Sequence, residues 1–281
     1  MNDWPVGLST GCFYQKSIFD CLDAILANGF SLVEICSFPA HLDYHDLPAV
    51  RRAAERLDVL GISAYSFHAP FAENIDISSP DKQRRTDSVR EVLAAAEAAA
   101  LLGVRHFVIH PGPEHCSLPN GDERLQRLED VAHSLSEIAA HCKHLGIRCA
   151  LENKLPHLLF GNTADMLWIL GAMTVTDVGV CLDTGHAHLA GELDTAMQKL
   201  SRHLCMIHAS DNHGQGDDHL PPGQGAIQWP RFFSLLRASD FHGSIMMEIA
   251  GHGEPAQILD SARHARQFLR REAWHSAAGI P

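Results

Sequence analysis

The chain is poor in basic residues. Lys and Arg together number 22 among 281 residues, against 34 Asp and Glu, and the formal net charge is -12 at pH 7. A protein with this balance repels polyanions and anionic membranes, because long-range Coulomb forces follow the net charge. The composition therefore favours a small-molecule partner and disfavours nucleic acid or a membrane surface.

Several common sequence features are absent. The eight cysteines include no CxxC pair, which excludes zinc-ribbon and thioredoxin-type spacing. No Asn-x-Ser/Thr sequon occurs, and no apolar run reaches the roughly 18 residues that a membrane-spanning helix needs. GxGxxG, P-loop and HExxH motifs are missing as well, so nucleotide-binding and zincin classes lack support. We expect a cytoplasmic protein with reduced, buried thiols.

Histidine, in contrast, is abundant. The chain has 20 histidines and no His run that would indicate a tag. Imidazole is the commonest metal ligand in proteins and a frequent general acid or base. The positions of the histidines relative to the predicted strands are therefore informative.

Short apolar or β-branched runs alternate with longer amphipathic segments eight times along the chain, which is typical of βα units around a parallel sheet. The predicted strands are 6–10, 32–36, 62–67, 106–109, 148–151, 178–182, 204–207 and 244–249. The predicted helices are 17–27, 47–60, 82–102, 123–145, 163–172, 193–202, 229–238 and 255–274. This pattern predicts one α/β domain over residues 1–281, folded as a (β/α)8 TIM barrel whose site forms at the C-terminal strand ends.

Candidate metal ligands follow six consecutive predicted strands, and three more stand in the adjoining loops. The nine residues are His68, His110, Glu152, Asp183, His186, His208, Asp217, His219 and Glu248. Because parallel strand ends lie about 4.8 Å apart around a barrel, these side chains can converge at its mouth. Mixed imidazole and carboxylate donors in this number suit one to three divalent ions, for which we expect Mn, Co, Mg or Zn. No other cofactor is indicated.

The motifs around these residues resemble those of a known superfamily. They are FHAP at 67–70, HPG at 110–112, LEN at 151–153, LDTGH at 182–186, IHASD at 207–211, DDH at 217–219, PGQG at 222–225 and MEI at 247–249. In this order they resemble the xylose isomerase-like TIM-barrel superfamily. That superfamily includes sugar phosphate isomerases and epimerases and the endonuclease IV-like AP endonuclease family 2.

The resemblance implies two alternative sites. In the isomerase and epimerase branch, one divalent metal is held by the residues that match Glu152, Asp183, His208 and Glu248. The two glutamates of that branch also act as acid and base. In the endonuclease branch, matches to all nine residues hold three zinc ions. This chain retains all nine, and His219 stands where ketose epimerases usually carry arginine.

The loops of the predicted mouth help to rank these alternatives. Lys and Arg are absent from residues 37–50, 106–123, 155–198 and 203–230. The basic residues expected near the mouth are Lys16, Lys82, Arg84, Arg85 and Lys154. A DNA-binding face normally presents several Lys and Arg side chains to phosphates, so nucleic acid is disfavoured. The same scarcity favours a neutral sugar over a phosphorylated one.

We therefore predict a metal-dependent isomerase or epimerase of a sugar, sugar phosphate or keto-polyol, which acts by proton transfer through a metal-stabilised enediolate. Glu152 and Glu248 would transfer the proton, and His186 would stabilise an oxygen as charge develops. The chief alternative is an endonuclease IV-like zinc phosphodiesterase that acts on abasic DNA. A lyase, a non-catalytic binding protein and a homo-oligomer all remain open.

Overall fold

The computed structural model describes residues 4–114 and 119–278. Its eight parallel strands pair in chain order and close into a barrel, which confirms the predicted (β/α)8 fold. The strands are β1 (Val6–Ser9), β2 (Leu32–Cys36), β3 (Ser63–His68), β4 (His106–Ile109), β5 (Arg148–Glu152), β6 (Gly179–Asp183), β7 (Leu204–Ala209) and β8 (Ser244–Met247). The helices are α1 (Ile18–Ala27), α2 (Pro39–Leu42), α3 (Leu47–Leu60), α4 (Lys82–Leu101), α5 (Gly121–His144), α6 (Thr163–Ala172), α7 (Thr184–Leu189), α8 (Leu193–Lys199), α9 (Trp229–Ala238) and α10 (Pro255–Ala278).

Every predicted strand and long helix is present, but two short helices were not predicted. These are α2 and α7, which are too short to show a helical period. Helix α7 begins because the Asp183 carboxylate accepts a hydrogen bond from the His186 amide at 2.6 Å. Strand β8 ends at Met247 rather than at residue 249, so Glu248 lies just beyond the strand.

The strand register explains why the predicted ligands share one mouth. Alternate residues of each strand point into the barrel, and the interior below the mouth is filled by a cluster of buried side chains that includes Tyr65, Val108, Ala150, Cys181, Met206 and Met246. Four candidate ligands stand two residues after such an interior residue and therefore point the same way. The pairs are Ala150 and Glu152, Cys181 and Asp183, Met206 and His208, and Met246 and Glu248.

Two further expectations concern the cysteines and the membrane. The seven described cysteines are free and buried, as expected for reduced core thiols, and Cys116 lies outside the described residues. Burial is the main cause that raises the pKa of Cys21 to about 11 and that of Cys205 to about 12. Within the described part of the chain, none of the helices is long and apolar enough to cross a membrane.

Substitution of Gly7 tests how tightly β1 packs between its neighbouring strands where the barrel closes. Gly7 lies in β1 between β2 and β8, and a Cβ there would stand 2.6 Å from Met246 Sδ and 2.7 Å from the Leu32 carbonyl oxygen. We expect Gly7→Ala to lower the free energy of unfolding by about 1–3 kcal/mol, because the strand must shift to make room. Urea denaturation measures this loss.

Gly171→Ala is the matched control. Gly171 lies in α6, and no atom lies within 4 Å of an added Cβ. Because Ala is favoured over Gly inside a helix, this variant should be more stable than the parent by about 0.5–1 kcal/mol. Equal effects of the two substitutions would contradict the assigned packing at Gly7.

Candidate metal centre

The structure places all nine candidate ligands at the mouth of the barrel, in three groups, of which two share Glu152. In each group, one donor atom from every residue lies within 4.8 Å of the others. Group A is His68, His110 and Glu152, group B is Glu152, Asp183, His208 and Glu248, and group C is His186, Asp217 and His219. Strand ends supply most of groups A and B, whereas α7 and the loop after β7 supply group C.

Glu152 joins groups A and B. Its Oε2 lies 3.1 Å from His68 Nε2 and 3.4 Å from His110 Nε2. Its Oε1 lies 2.9 Å from His208 Nδ1 in group B. The two oxygens of one buried carboxylate are therefore divided between two sets of donors.

Three imidazoles are held by backbone carbonyl groups. In each, the Nδ1 nitrogen lies at hydrogen-bond distance from a carbonyl oxygen, and Nε2 is left facing its group. The pairs are His68 with Ala69 at 2.9 Å, His186 with Asn153 at 2.9 Å and His219 with Glu248 at 3.0 Å. Since a carbonyl oxygen only accepts, Nδ1 must carry a proton, and Nε2 is the nitrogen that can bind a metal once it has lost its own proton.

Glu34 holds a fourth imidazole and was not selected from the sequence. It lies on β2 with no exposed surface, and its Oε2 accepts hydrogen bonds from His208 Nε2 at 2.9 Å and from Ser66 Oγ at 2.8 Å. Nδ1 of His208 is thereby left for group B. A lone acidic residue within the apolar run LVEIC was the signal that could have identified it.

Glu114 holds the fifth imidazole and was also missed. Its Oε1 lies 2.8 Å from His110 Nδ1 and 3.0 Å from Lys154 Nζ. Although burial opposes ionisation, the hydrogen bond from His110 and the neighbouring positive charges lower the pKa of Glu114 to about 2. The carboxylate therefore stays ionised behind group A.

Glu152 and Glu248 are ionised because imidazoles surround them, whereas burial raises the pKa of Asp183. Burial alone would raise the pKa of Glu152, but the His208 charge and hydrogen bonds from His110, His208 and His68 bring it well below its usual range. The same His208 charge outweighs burial and lowers the pKa of Glu248 to about 2.

Asp183 provides a direct test of whether the residues fit a metal. Its side chain is fully buried, and Oδ1 accepts the amide hydrogen of His186, whereas Oδ2 has no hydrogen-bond partner among the described residues. A buried polar atom without a partner is costly, and a cation held by group B would satisfy it. Together with the five oriented imidazoles, this orphaned oxygen shows that the donor set fits divalent metal ions.

The loop that carries Asp217 and His219 is held by Asp211. The Asp211 carboxylate accepts hydrogen bonds from Gly223 N at 2.9 Å, Ile227 N at 3.1 Å and Trp229 Nε1 at 2.9 Å. His219 itself has φ 44°, a left-handed conformation that costs free energy in a residue with a Cβ. Its carbonyl oxygen accepts from Ala250 N at 2.8 Å, which keeps this backbone in place.

Comparison with known proteins agrees with this fold. The family model described as xylose isomerase-like TIM barrel matches residues 22–272. The chain belongs to the xylose isomerase-like TIM barrel family.

Relatives of the chain within this family have different names. An uncharacterised protein of Methanocaldococcus jannaschii is 28% identical over 255 residues, which cover 88% of this chain and 84% of the relative. A probable endonuclease 4 of Mycobacterium marinum is 27% identical over 252 residues, which cover 85% of this chain and 92% of the relative.

Solved structures share the family fold at lower identity. A D-tagatose 3-epimerase-like protein matches with a TM-score of 0.83 and 23% identity over 99% of this chain and 100% of its own. The IolI protein, solved with a bound zinc atom, matches with a TM-score of 0.79 and 18% identity over 96% of this chain and 99% of its own.

Replacement of Glu34 tests how group B binds a metal. Glu34→Gln keeps the shape of the side chain but removes the charge that orients and polarises His208. We expect the dissociation constant for zinc to rise about 10- to 100-fold, the usual effect of losing such a partner. Competition with a chromophoric chelator measures it. Glu55→Gln on the exposed face of α3 is the control, and an unchanged constant in Glu34→Gln would contradict the assigned role.

Metal binding by His68, His186 and His219 should release protons. Burial alone would lower their pKa values, but Glu152 raises the pKa of His68 to about 9, and neighbouring carboxylates raise those of His186 and His219 to about 10. The metal-free imidazoles are therefore protonated near pH 7, and a metal must displace those protons. Zinc affinity should rise with pH from about 6 to 9. Calorimetry in buffers of different ionisation enthalpy counts the protons, and an affinity independent of pH would contradict the assignment.

Proposed function

We propose that the protein is a multinuclear, metal-dependent phosphoester hydrolase, which adds water across a P–O bond. The observation that carries this proposal is the division of the Glu152 carboxylate between groups A and B. Two donor groups joined in this way, with group C next to them through the 3.6 Å approach of His186 Nδ1 to Asp183 Oδ1, suit two or three divalent ions close together. The sequence alone favours an isomerase, whereas this geometry favours a hydrolase.

The surroundings of Glu152 fit a shared ligand better than a proton acceptor. An effective base needs a pKa near the working pH, whereas three imidazoles bring the pKa of Glu152 well below its usual range. Both of its oxygens are engaged, and 1% of the residue is exposed. A substrate α-proton would therefore meet a weak and shielded base.

The relatives support the same proposal. The probable endonuclease 4 of Mycobacterium marinum is named for an activity on phosphodiesters, and its alignment covers most of both chains. All nine candidate ligands of this chain lie within residues 68–248, inside the region that the family model matches. The candidate ligands therefore belong to the part of the chain that this family model covers.

Each group has a distinct part in such a reaction. When bound, divalent ions would supply Lewis acidity towards the phosphoryl oxygens and lower the pKa of water. His68 and His110 would be donors of group A, and Glu114, which contacts Lys154, orients His110. The side chain of Asp217 is 26% exposed and lies 3.2 Å from His219 Nε2, so group C faces the open side of the mouth where substrate enters.

Sugar isomerisation or epimerisation is the second candidate, and Glu248 is the observation that favours it. The Glu248 side chain is 22% exposed, and its Oε2 lies 3.2 Å from His208 Nδ1. It can therefore reach both a substrate and an ion in group B. This candidate requires one metal in group B and no role for group C.

Metal content and hydrolysis of a simple diester separate these candidates. We expect about three divalent ions per chain by elemental analysis and turnover of bis(4-nitrophenyl) phosphate. Asp217→Asn should remove one ion and lower the hydrolysis rate by about 100-fold or more, because group C loses its carboxylate donor.

Asp218→Asn is the matched control, since this neighbouring carboxylate is exposed and lies outside all three groups. It should retain metal and activity. One ion per chain, with no diester hydrolysis and with exchange of a ketose α-proton into deuterated solvent, would overturn the hydrolase and support the isomerase.

A further inference from the structure

The metal groups open onto a cavity that is lined in part by apolar side chains. The cavity that the ligands line has a volume of about 460 Å³, and it adjoins an outer cavity of about 700 Å³. The two share the side chains of Phe71, Glu114, Leu155 and Leu158. Apolar walls therefore begin directly beside the donor groups and continue outward.

Phe71 is the main apolar surface at this opening. Its ring centroid lies 5.0 Å from that of His68 and 5.4 Å from that of His110, and 36% of the residue is exposed. Phe38 packs edge-on against it at 5.4 Å. Phe71 therefore presents an aromatic ring to the cavity directly beside the rings of two candidate ligands.

The same region offers no free cation to a polyanion. Lys154 is the basic residue among those that line the two cavities, apart from histidine. Its ammonium is buried and donates to the carbonyl oxygens of Gly112 at 2.9 Å and Pro113 at 2.6 Å and to Glu114 at 3.0 Å. All three of its hydrogens are therefore used within the protein.

The outer cavity also carries carboxylates. Glu114 and Glu73 both line it, together with His157. Consecutive phosphates of a nucleic acid strand would meet these carboxylates, and Arg84 beside them already donates a hydrogen bond to the Glu73 carbonyl oxygen at 2.8 Å. A neutral ring meets no such penalty there.

We propose that the cavity lined by Phe71, Leu155 and Leu158 binds a flat, apolar ring next to the reacting group, so that the substrate is a small ester carrying such a ring rather than a polymer. That the substrate is an ester rests on the proposed function, whereas the ring-binding site rests on the cavity itself. The ring lies against Phe71 and the two leucines, and the reacting group faces the metal groups.

Two pairs of metal-binding probes test the ring site in the zinc-loaded protein. Benzohydroxamate and acetohydroxamate chelate zinc whatever reaction the protein catalyses, and they differ in the ring. Benzohydroxamate should bind about tenfold or more tightly, because its ring is buried against apolar side chains. Phenylphosphonate and methylphosphonate form the second pair, which adds the phosphoryl group that the proposed function requires.

Substitutions locate the ring. Phe71→Ala and Leu158→Ala should each bring the ratio of the two hydroxamate affinities close to one, while the zinc content measured by elemental analysis stays unchanged. Phe71 packs against the rings of His68 and His110, so its removal could also disturb these ligands. Leu158→Ala leaves these ring contacts in place and therefore tests the ring site separately. Val59→Ala, on the outer surface of α3 with 76% of the residue exposed, is the control and should keep the parental ratio.

The outcomes distinguish this inference from the proposed function. Equal affinities within the hydroxamate pair, or no binding of either compound, would overturn the ring site. A ring preference among hydroxamates without binding of either phosphonate would support the ring site and count against the hydrolase. If the protein cleaves an abasic DNA duplex as fast as it cleaves an aryl phosphodiester, the inference that its substrate is a small molecule is wrong.

Discussion

The barrel mouth depends on the position of one carboxylate, that of Glu152, among imidazoles from three other parts of the barrel. His68 comes from the end of β3, His110 follows β4 and His208 comes from β7. An ionised carboxylate without partners would be very costly at this depth. The imidazoles can therefore surround Glu152 only if the barrel closes in the observed register, and the charge distribution of the mouth follows from that closure.

The imidazoles are oriented before any ligand binds. Backbone carbonyls hold three of them, and Glu34 and Glu114 hold the other two. A metal site built in this way loses little conformational entropy when it is filled, because ring orientation and tautomer are already set. Groups A and B draw this rigidity largely from strands, whereas group C depends on α7 and on the loop that Asp211 ties down.

The electrostatics of the mouth limit what it can bind. Four candidate ligands are carboxylates, and two more carboxylates, those of Glu34 and Glu114, contact the histidines from behind. The ammonium of Lys154 donates all its hydrogen bonds to groups within the protein. Divalent cations balance such a cluster, and an extended anion does not. The apolar side chains that begin at Phe71 lie beside the donor groups and share the outer cavity with Glu73 and Glu114.

The sequence by itself determined the eight βα units and the nine candidate ligands, since period, turn signals and strand ends are local properties of the chain. It did not reveal α7, because six residues that include Thr, Gly and His form a helix only where Asp183 caps them. Only the tertiary structure decided that Glu152 serves two donor groups and that Glu34 stands behind His208. Glu34 and His208 are 174 residues apart. No local pattern records their contact, which exists because barrel closure and strand register bring β2 and β7 side chains to the same interior layer.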